Sequence, residues 1–195
     1  WLLTVRADLA ARRGDFDARR GLRLTAAEGP DLAFKQILRS AGLDPERDLE
    51  IVELPGAKQR HVSFGVFAAQ ALRDGSIDGY WSNAMGAETA VTNGFGKIHV
   101  DVRRGDDPGE TRFFTFAGLA ARDDFIAREP EAIDAAVRAI VKAQKALCAD
   151  PAIAREVGAG KFPPESAALI ATIVARDARF YDPVISETAV QRLNG

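Results

Sequence analysis

"GLRLTAAEGPDLAFKQILRSAG", residues 21 to 42, is the stretch whose reading decides the fold. "GLRLTAA" reads as a strand, closed by the turn residues Glu28-Gly29-Pro30-Asp31. Pro30 and Asp31 stand where a helix begins, with Asp31 near its cap. Phe34, Ile37, Leu38 and Ala41 then recur at spacings 0, 3, 4 and 7, the single apolar face of a helix that ends at Gly42. A strand, a short turn and a helix of about ten residues make up one step of an alternating α/β chain.

The same step repeats on the C-terminal side. "LEIVEL" (49 to 54) is a strand and "PGAKQRHV" its loop. Ser63 is placed to cap a helix carrying Phe64, Phe67, Ala68, Ala71 and Leu72 on one face, and Gly75 stops it. "IDGYW" is a third strand, and "MGAETAVTNG" a short helix stopped by Gly94. In "KIHVDV", Ile98, Val100 and Val102 alternate with His99 and Asp101, which predicts a strand with one wet face. Strands alternating with helices predict a parallel sheet joined by right-handed crossovers.

Two charged, turn-rich segments bracket this block. Residues 1 to 5, "WLLTV", form a strand followed by the first of them, and "RRGDDPGETR" (103 to 112) is the second, followed by the apolar "FFTFAGLAA". The remainder is helical: Ile133, Val137, Ile140, Val141 and Leu147 share a face of a helix over 130 to 148, with Pro130 in its first turn. Shorter helices follow, the last capped by Ser186. The predicted organisation is a crossing strand and linker over 1–20, an α/β lobe over 21–102, a return crossover over 103–119 and a helical segment over 120–195.

Composition excludes several classes. With 47% hydrophobic and 28% charged residues, the chain is globular rather than disordered. A net charge of −2 gives no basic face for nucleic acid, so no nucleic-acid partner is expected. Cys148 is the only cysteine, which rules out an internal disulfide and a cysteine-rich zinc site. No apolar run approaches the ~20 residues that span a bilayer, and residues 1 to 15 do not read as a signal peptide. The ends themselves read as those of an excised piece, so that last observation says nothing about compartment.

In a parallel sheet the carboxyl ends of all strands face one crevice, where ligands bind. Gly29, Pro30 and Asp31 lie at one such end, and Trp81, Ser82 and Asn83 at another. A helix beginning near Asp31 offers backbone N–H groups and the positive end of its dipole. Trp81 supplies an aromatic wall, and Ser82 and Asn83 supply hydrogen-bonding groups, the usual lining of a small-molecule pocket. Taken alone, the first loop is a turn and a cap; the two loops together predict a ligand site. "GAGKF" lacks the spacing of a phosphate loop and "GFGK" the third glycine of a dinucleotide fingerprint. No serine stands in a nucleophile elbow, and His61 and His99 have no shared metal spacing. Arg13-Gly14-Asp15 and Arg104-Gly105-Asp106 read as turns. Neither a catalytic residue, a metal nor a cofactor is expected.

These pieces, in this order, resemble the solute-binding proteins of ABC importers of the nitrate/sulfonate/taurine type. The resemblance rests on "VRADLAARRGDFDARRGLRLTAAEGPDLAFKQILRSAGLDPERDLEIVELPGA", on "AAQALRDGSIDGYW" and on "ARDDFIAREPEAIDAAVRAIVKAQKALCADPAIA", and covers nearly the whole chain. It implies the type II periplasmic-binding fold: a mostly parallel five-strand sheet flanked by helices, with ligand held between two lobes. It implies that the chain begins after the first lobe, to which the helices of 120–195 would belong. It implies a small organic solute, of sulfonate, carboxylate or nitrate-like anionic class, a membrane permease as partner, and a periplasmic location. Asp31 departs from that pattern, because a carboxylate is a poor neighbour for an anion unless it faces away as a cap. The apolar strand ends at "WLLTV" and "FFTFAG" predict self-association of the piece. Two other readings share the fold. A ligand-sensing domain of a transcription regulator would carry a helix-turn-helix, which is not seen here. A thiamine-pyrimidine-synthase-like enzyme would carry a cysteine-rich motif and a pocket histidine, and neither stands at these loops.

Overall fold

A computed structural model of the chain describes residues 1–56, 63–109, 111 and 118–194. The chain divides into two compact units, Trp1–Phe114 and Thr115–Asn194. Two expectations fall on undescribed residues: His61 with much of its loop, and "FFTFA" of the return strand lie outside the described residues.

In the first unit the strands are β1 (Leu2–Arg6), β2 (Arg23–Ala26), β3 (Glu50–Ile51), β4 (Gly79–Ser82) and β5 (Gly96–Asp101). Helix α1 (Pro30–Ser40) follows β2, α2 (Phe64–Arg73) follows β3 and α3 (Ala84–Thr92) follows β4. The sheet order is β3-β2-β4-β1-β5. β2 pairs parallel with both β3 and β4, whereas β1 pairs antiparallel with both β4 and β5. Four strands therefore run one way and β1 alone runs the other. The sheet is mixed rather than purely parallel, and the reversed strand is the one the periodicity placed outside the α/β lobe. "WLLTV" presents no uncovered edge, contrary to the expectation behind self-association, because both sides of its backbone are paired.

Tyr80 and Trp81 are consecutive on β4, so their side chains leave the sheet on opposite faces. Tyr80 packs with Ala68, Ala69 and Leu72 of α2 and Ala90 of α3, and its hydroxyl donates to the Gly86 carbonyl at 2.7 Å. Trp81 stacks on Phe34 of α1. Helix α1 thus covers one face, and α2 with α3 the other. Phe34, Ile37 and Leu38 are buried as their spacing predicts, each side chain worth roughly 1.5–3 kcal/mol of transfer free energy. α1 ends in a paired reversal: Leu43 N–H reaches the Leu38 carbonyl and Gly42 N–H the Arg39 carbonyl, both at 2.9 Å. Gly42 takes φ +80° there, a left-handed value natural to glycine.

Between α2 and α3 the backbones touch at Gly65 and Gly86. A Cβ on Gly65 would lie 3.0 Å from the Gly86 nitrogen, and one on Gly86 would run into the Gly65 carbonyl.

The predicted wet face of β5 is buried: His99 and Asp101 are each about 1% exposed. The reason is tertiary, because the charged segments before β2 and after β5 fold over it. Asp101 accepts from Arg103 and Arg104 at 3.0–3.1 Å, and Arg13 joins the two segments by bonding Asp106 at 2.6 Å. Both Arg-Gly-Asp stretches are turns at this junction, with Gly14 and Gly105 at φ +76° and +74°. His99 Nε2 meets the Asp15 carbonyl at 3.1 Å. Fully buried Arg19 lies over the Phe16 ring, and burial pushes its guanidinium down to about 9.

The second unit holds α4 (Asp123–Arg128), α5 (Pro130–Ala149), α6 (Ile153–Ala159), α7 (Pro164–Asp177) and α8 (Glu187–Asn194). Its small core joins Ala154, Val174 and Ala178 with Leu147 and Ile170. The Ser186 hydroxyl accepts from Ala189 N–H, the cap its position predicts. On α5 the expected apolar face is only partly used: Ile133, Val141 and Leu147 are half-buried, and Val137 and Ile140 are exposed. No helix among the described residues is long and apolar enough to cross a membrane.

Gly86→Ala should lower stability by about 1–3 kcal/mol, the usual range for overpacking, measured by urea denaturation. An unchanged midpoint would mean the two helices part freely.

His99 gives a pH dependence. Burial, then the charge of Arg19, holds its imidazole below the ordinary 6.5. The fold therefore favours neutral histidine, and its contribution is complete above about pH 6.5. Stability should fall as pH drops below that value, because the unfolded chain takes up the proton first. Denaturation at pH 8 and pH 5 should show a smaller difference in His99→Gln than in the native chain.

Candidate functional site

The carboxyl ends of β2 and β4 lie side by side, with Ala26 opposite Trp81 and Ala27 N–H bonded to the Trp81 carbonyl. From β2 the chain turns through Glu28 and Gly29 into α1. Gly29 has φ +91°, which a side chain would strain, and Pro30 at the first helical position has no N–H to leave unpaired. Asp31 behaves as a local cap: its Oδ1 accepts from Gly29 N–H at 3.1 Å and its Oδ2 pairs with Lys35 at 3.5 Å. The next donors are occupied too, Asp31 N–H by the Ala27 carbonyl and Leu32 N–H by the Gly29 carbonyl.

Beside this turn lies a cavity of about 500 Å³. Thr25, Ala26, Ala27 and Glu28 from the end of β2 form one side. Asp31 and Lys35 of α1 and Glu46 form another, and the walls are closed by Ile51 to Leu54 and by Phe64 at the start of α2. Among the described lining residues the apolar part is Ile51, Val52, Leu54 and Phe64, and the charged part is four carboxylates against one ammonium. Among the described residues no cluster of histidine, cysteine or carboxylate side chains is arranged to hold a metal.

Of the six residues expected from the sequence, Asp31 lines this cavity, and Gly29 and Pro30 form the turn at its edge. Trp81 is fully buried and stacks on Phe34 (centroids 5.1 Å apart, 14° between planes) and on Trp1 (6.4 Å, 23°). Ser82 is also buried, its hydroxyl donating to the Asn83 carbonyl at 3.0 Å. Asn83 is exposed and caps α3, its Oδ1 accepting from Met85 N–H at 3.2 Å. These last three residues sit at the neighbouring strand end without lining the cavity. Sequence reasoning missed Thr25, Lys35, Glu46, Glu53 and Phe64. One signal was available, since Glu53 and Leu54 directly follow β3, the strand that pairs with β2, and so lie at the same end of the sheet.

A model of the NMT1-like family matches residues 16–159. Among solved structures, the fold is similar to that of the alkanesulfonate-binding protein SsuA of Xanthomonas axonopodis pv. citri bound to MOPS. The TM-score is 0.61 at 14% identity, over 93% of this chain and 55% of that one. A periplasmic sulfonate-binding protein of Methylobacillus flagellatus KT gives 0.58 at 24% identity, over 96% and 50%. The periplasmic aliphatic sulphonate-binding protein of Escherichia coli gives 0.56 at 16%, over 99% and 57%. The chain thus spans about half the length of the solved structures it matches. No curated protein matches it.

Trp81→Ala should cost about 3–5 kcal/mol of stability, as core tryptophan truncations do, because it empties the space between α1 and the sheet. Thermal melting checks this. A variant that melts like the native protein would mean Trp81 contributes little to the core and is free to serve a ligand.

Proposed function

The chain belongs to the NMT1-like family, and from that premise we propose that it is the solute-binding component of an ABC importer, holding a small organic solute between two lobes. The observation that carries this reading is the cavity beside the carboxyl ends of β2 and β3. In open α/β sheets ligands bind beyond those ends, where loops of different strands converge. Apolar walls with a few polar groups are also what small-molecule sites use. The similarity of fold to periplasmic sulfonate-binding proteins supports a periplasmic location and a membrane permease as the partner that receives the solute.

In this reading residues 21–102 supply one wall of the site, and the helices of 120–195 belong to the other lobe. Asp31 contacts the solute side of the cavity, while Gly29 and Pro30 shape its rim. Ser82 and Asn83 position the adjoining loop over the buried Trp81. The activity is capture and release, with the solute leaving chemically unchanged.

The test is a thermal-shift screen of the full-length protein against small sulfonates, carboxylates and amines. A solute at a hundred times its Kd should add about 2.7 kcal/mol of stability. If no solute moves the melting temperature, or if a bound one is converted to product, the reading is wrong.

A further inference from the structure

We infer that this site takes an organic cation: a solute with a protonated amine on a compact apolar body. The inference rests on the solute-binding reading of the cavity and specifies its charge.

Two observations argue against an anion. An anion at this end of the sheet would ordinarily sit on the free N–H groups of a helix N-terminus. At α1 those groups are occupied: Pro30 has none, Asp31 and Leu32 bond backbone carbonyls, and Gly29 N–H is held by the Asp31 carboxylate. That carboxylate also sits where the helix dipole would otherwise attract a ligand's negative charge. Lys35, the one ammonium among the described lining residues, is paired with Asp31. No cationic side chain among the described lining residues is left for a sulfonate or carboxylate.

Two further observations point to a cationic head. Glu46 and Glu53 stand on the cavity lining without an ion pair among the described residues. Deeper in, Thr25 is 2% exposed and lines the cavity, yet its hydroxyl makes no hydrogen bond among the described residues. A ligand ammonium would donate to that oxygen while Glu46 and Glu53 balance its charge. Val52, Leu54 and Phe64 would cover the apolar body.

The experiment compares two probes with the same four-carbon body, butylammonium and butane-1-sulfonate, by titration calorimetry on the full-length protein. Butylammonium should bind at least tenfold more tightly, and its affinity should fall as salt is raised. Glu46→Gln/Glu53→Gln should lower butylammonium affinity about tenfold, the usual size of a charge-assisted contact. Both positions are exposed, so the melting temperature should hardly change. Thr25→Val should lower butylammonium affinity about fivefold. If butane-1-sulfonate binds more tightly, the cation inference falls and the solute-binding reading stands. Equal affinity in the native protein and the double carboxylate variant overturns the inference as well. If neither probe binds, the inference also falls, and the wider screen of sulfonates, carboxylates and amines decides separately whether the protein binds a solute.

Discussion

β1 pairs with β4 along one side and β5 along the other, and without it the sheet would separate into β3-β2-β4 and an isolated β5. The pairing joins residues 2–6 to residues 79–82 and 96–101, so it closes long loops before it gains any hydrogen bonds. Such non-local pairing is entropically demanding and places β1 among the later elements to dock. Once docked, it fixes two things. It makes β5 run parallel to β4 on its far side, and it brings Trp1 beside Trp81.

Buried carboxylates hold this arrangement in register. Asp78, just before β4, accepts from the Arg23 backbone and guanidinium and pairs with Arg6, so it ties β4 to β2 and to β1. Burial alone would raise its carboxyl. The hydrogen bonds from Arg23 and the charges of Arg23 and Arg6 outweigh that and hold it below the usual carboxylate range. At the far side, Arg13, Arg103 and Arg104 converge on the buried Asp101. The charged segments that look like solvated linkers are the sheet's outer clasp. Arginine suits that task, because its planar fork bonds a carboxylate through two nitrogens at once.

The cavity follows from the ends of the strands, and its described lining does not include Trp81. β2 and β3 stop beside each other, and the turn through Gly29 carries the chain away into α1, leaving space between them. At both helix starts, α1 and α3, a side chain from this chain already occupies backbone donors. Among the described residues, the cavity offers a hydroxyl, carboxylates and an apolar wall.

The periodicity of Phe34, Ile37 and Leu38, and the glycine stops at 42, 75 and 94, determined where the helices of the lobe lie, because helix formation and termination depend on residues a few positions apart. The alternation of strand and helix over 21–102 likewise determined the α/β class. What only the tertiary structure decided is which strand sits in the middle and which face of a residue is covered. β1 looks like an outlying strand because its partners are some eighty residues away. His99 and Asp101 look wet because the segments that bury them are themselves charged. Trp81 looks like the lip of a pocket because it ends a strand beside two polar residues. The ring of Phe34, forty-seven positions earlier, is what makes it core. Local patterns record neighbours along the chain, and burial is a property of neighbours in space.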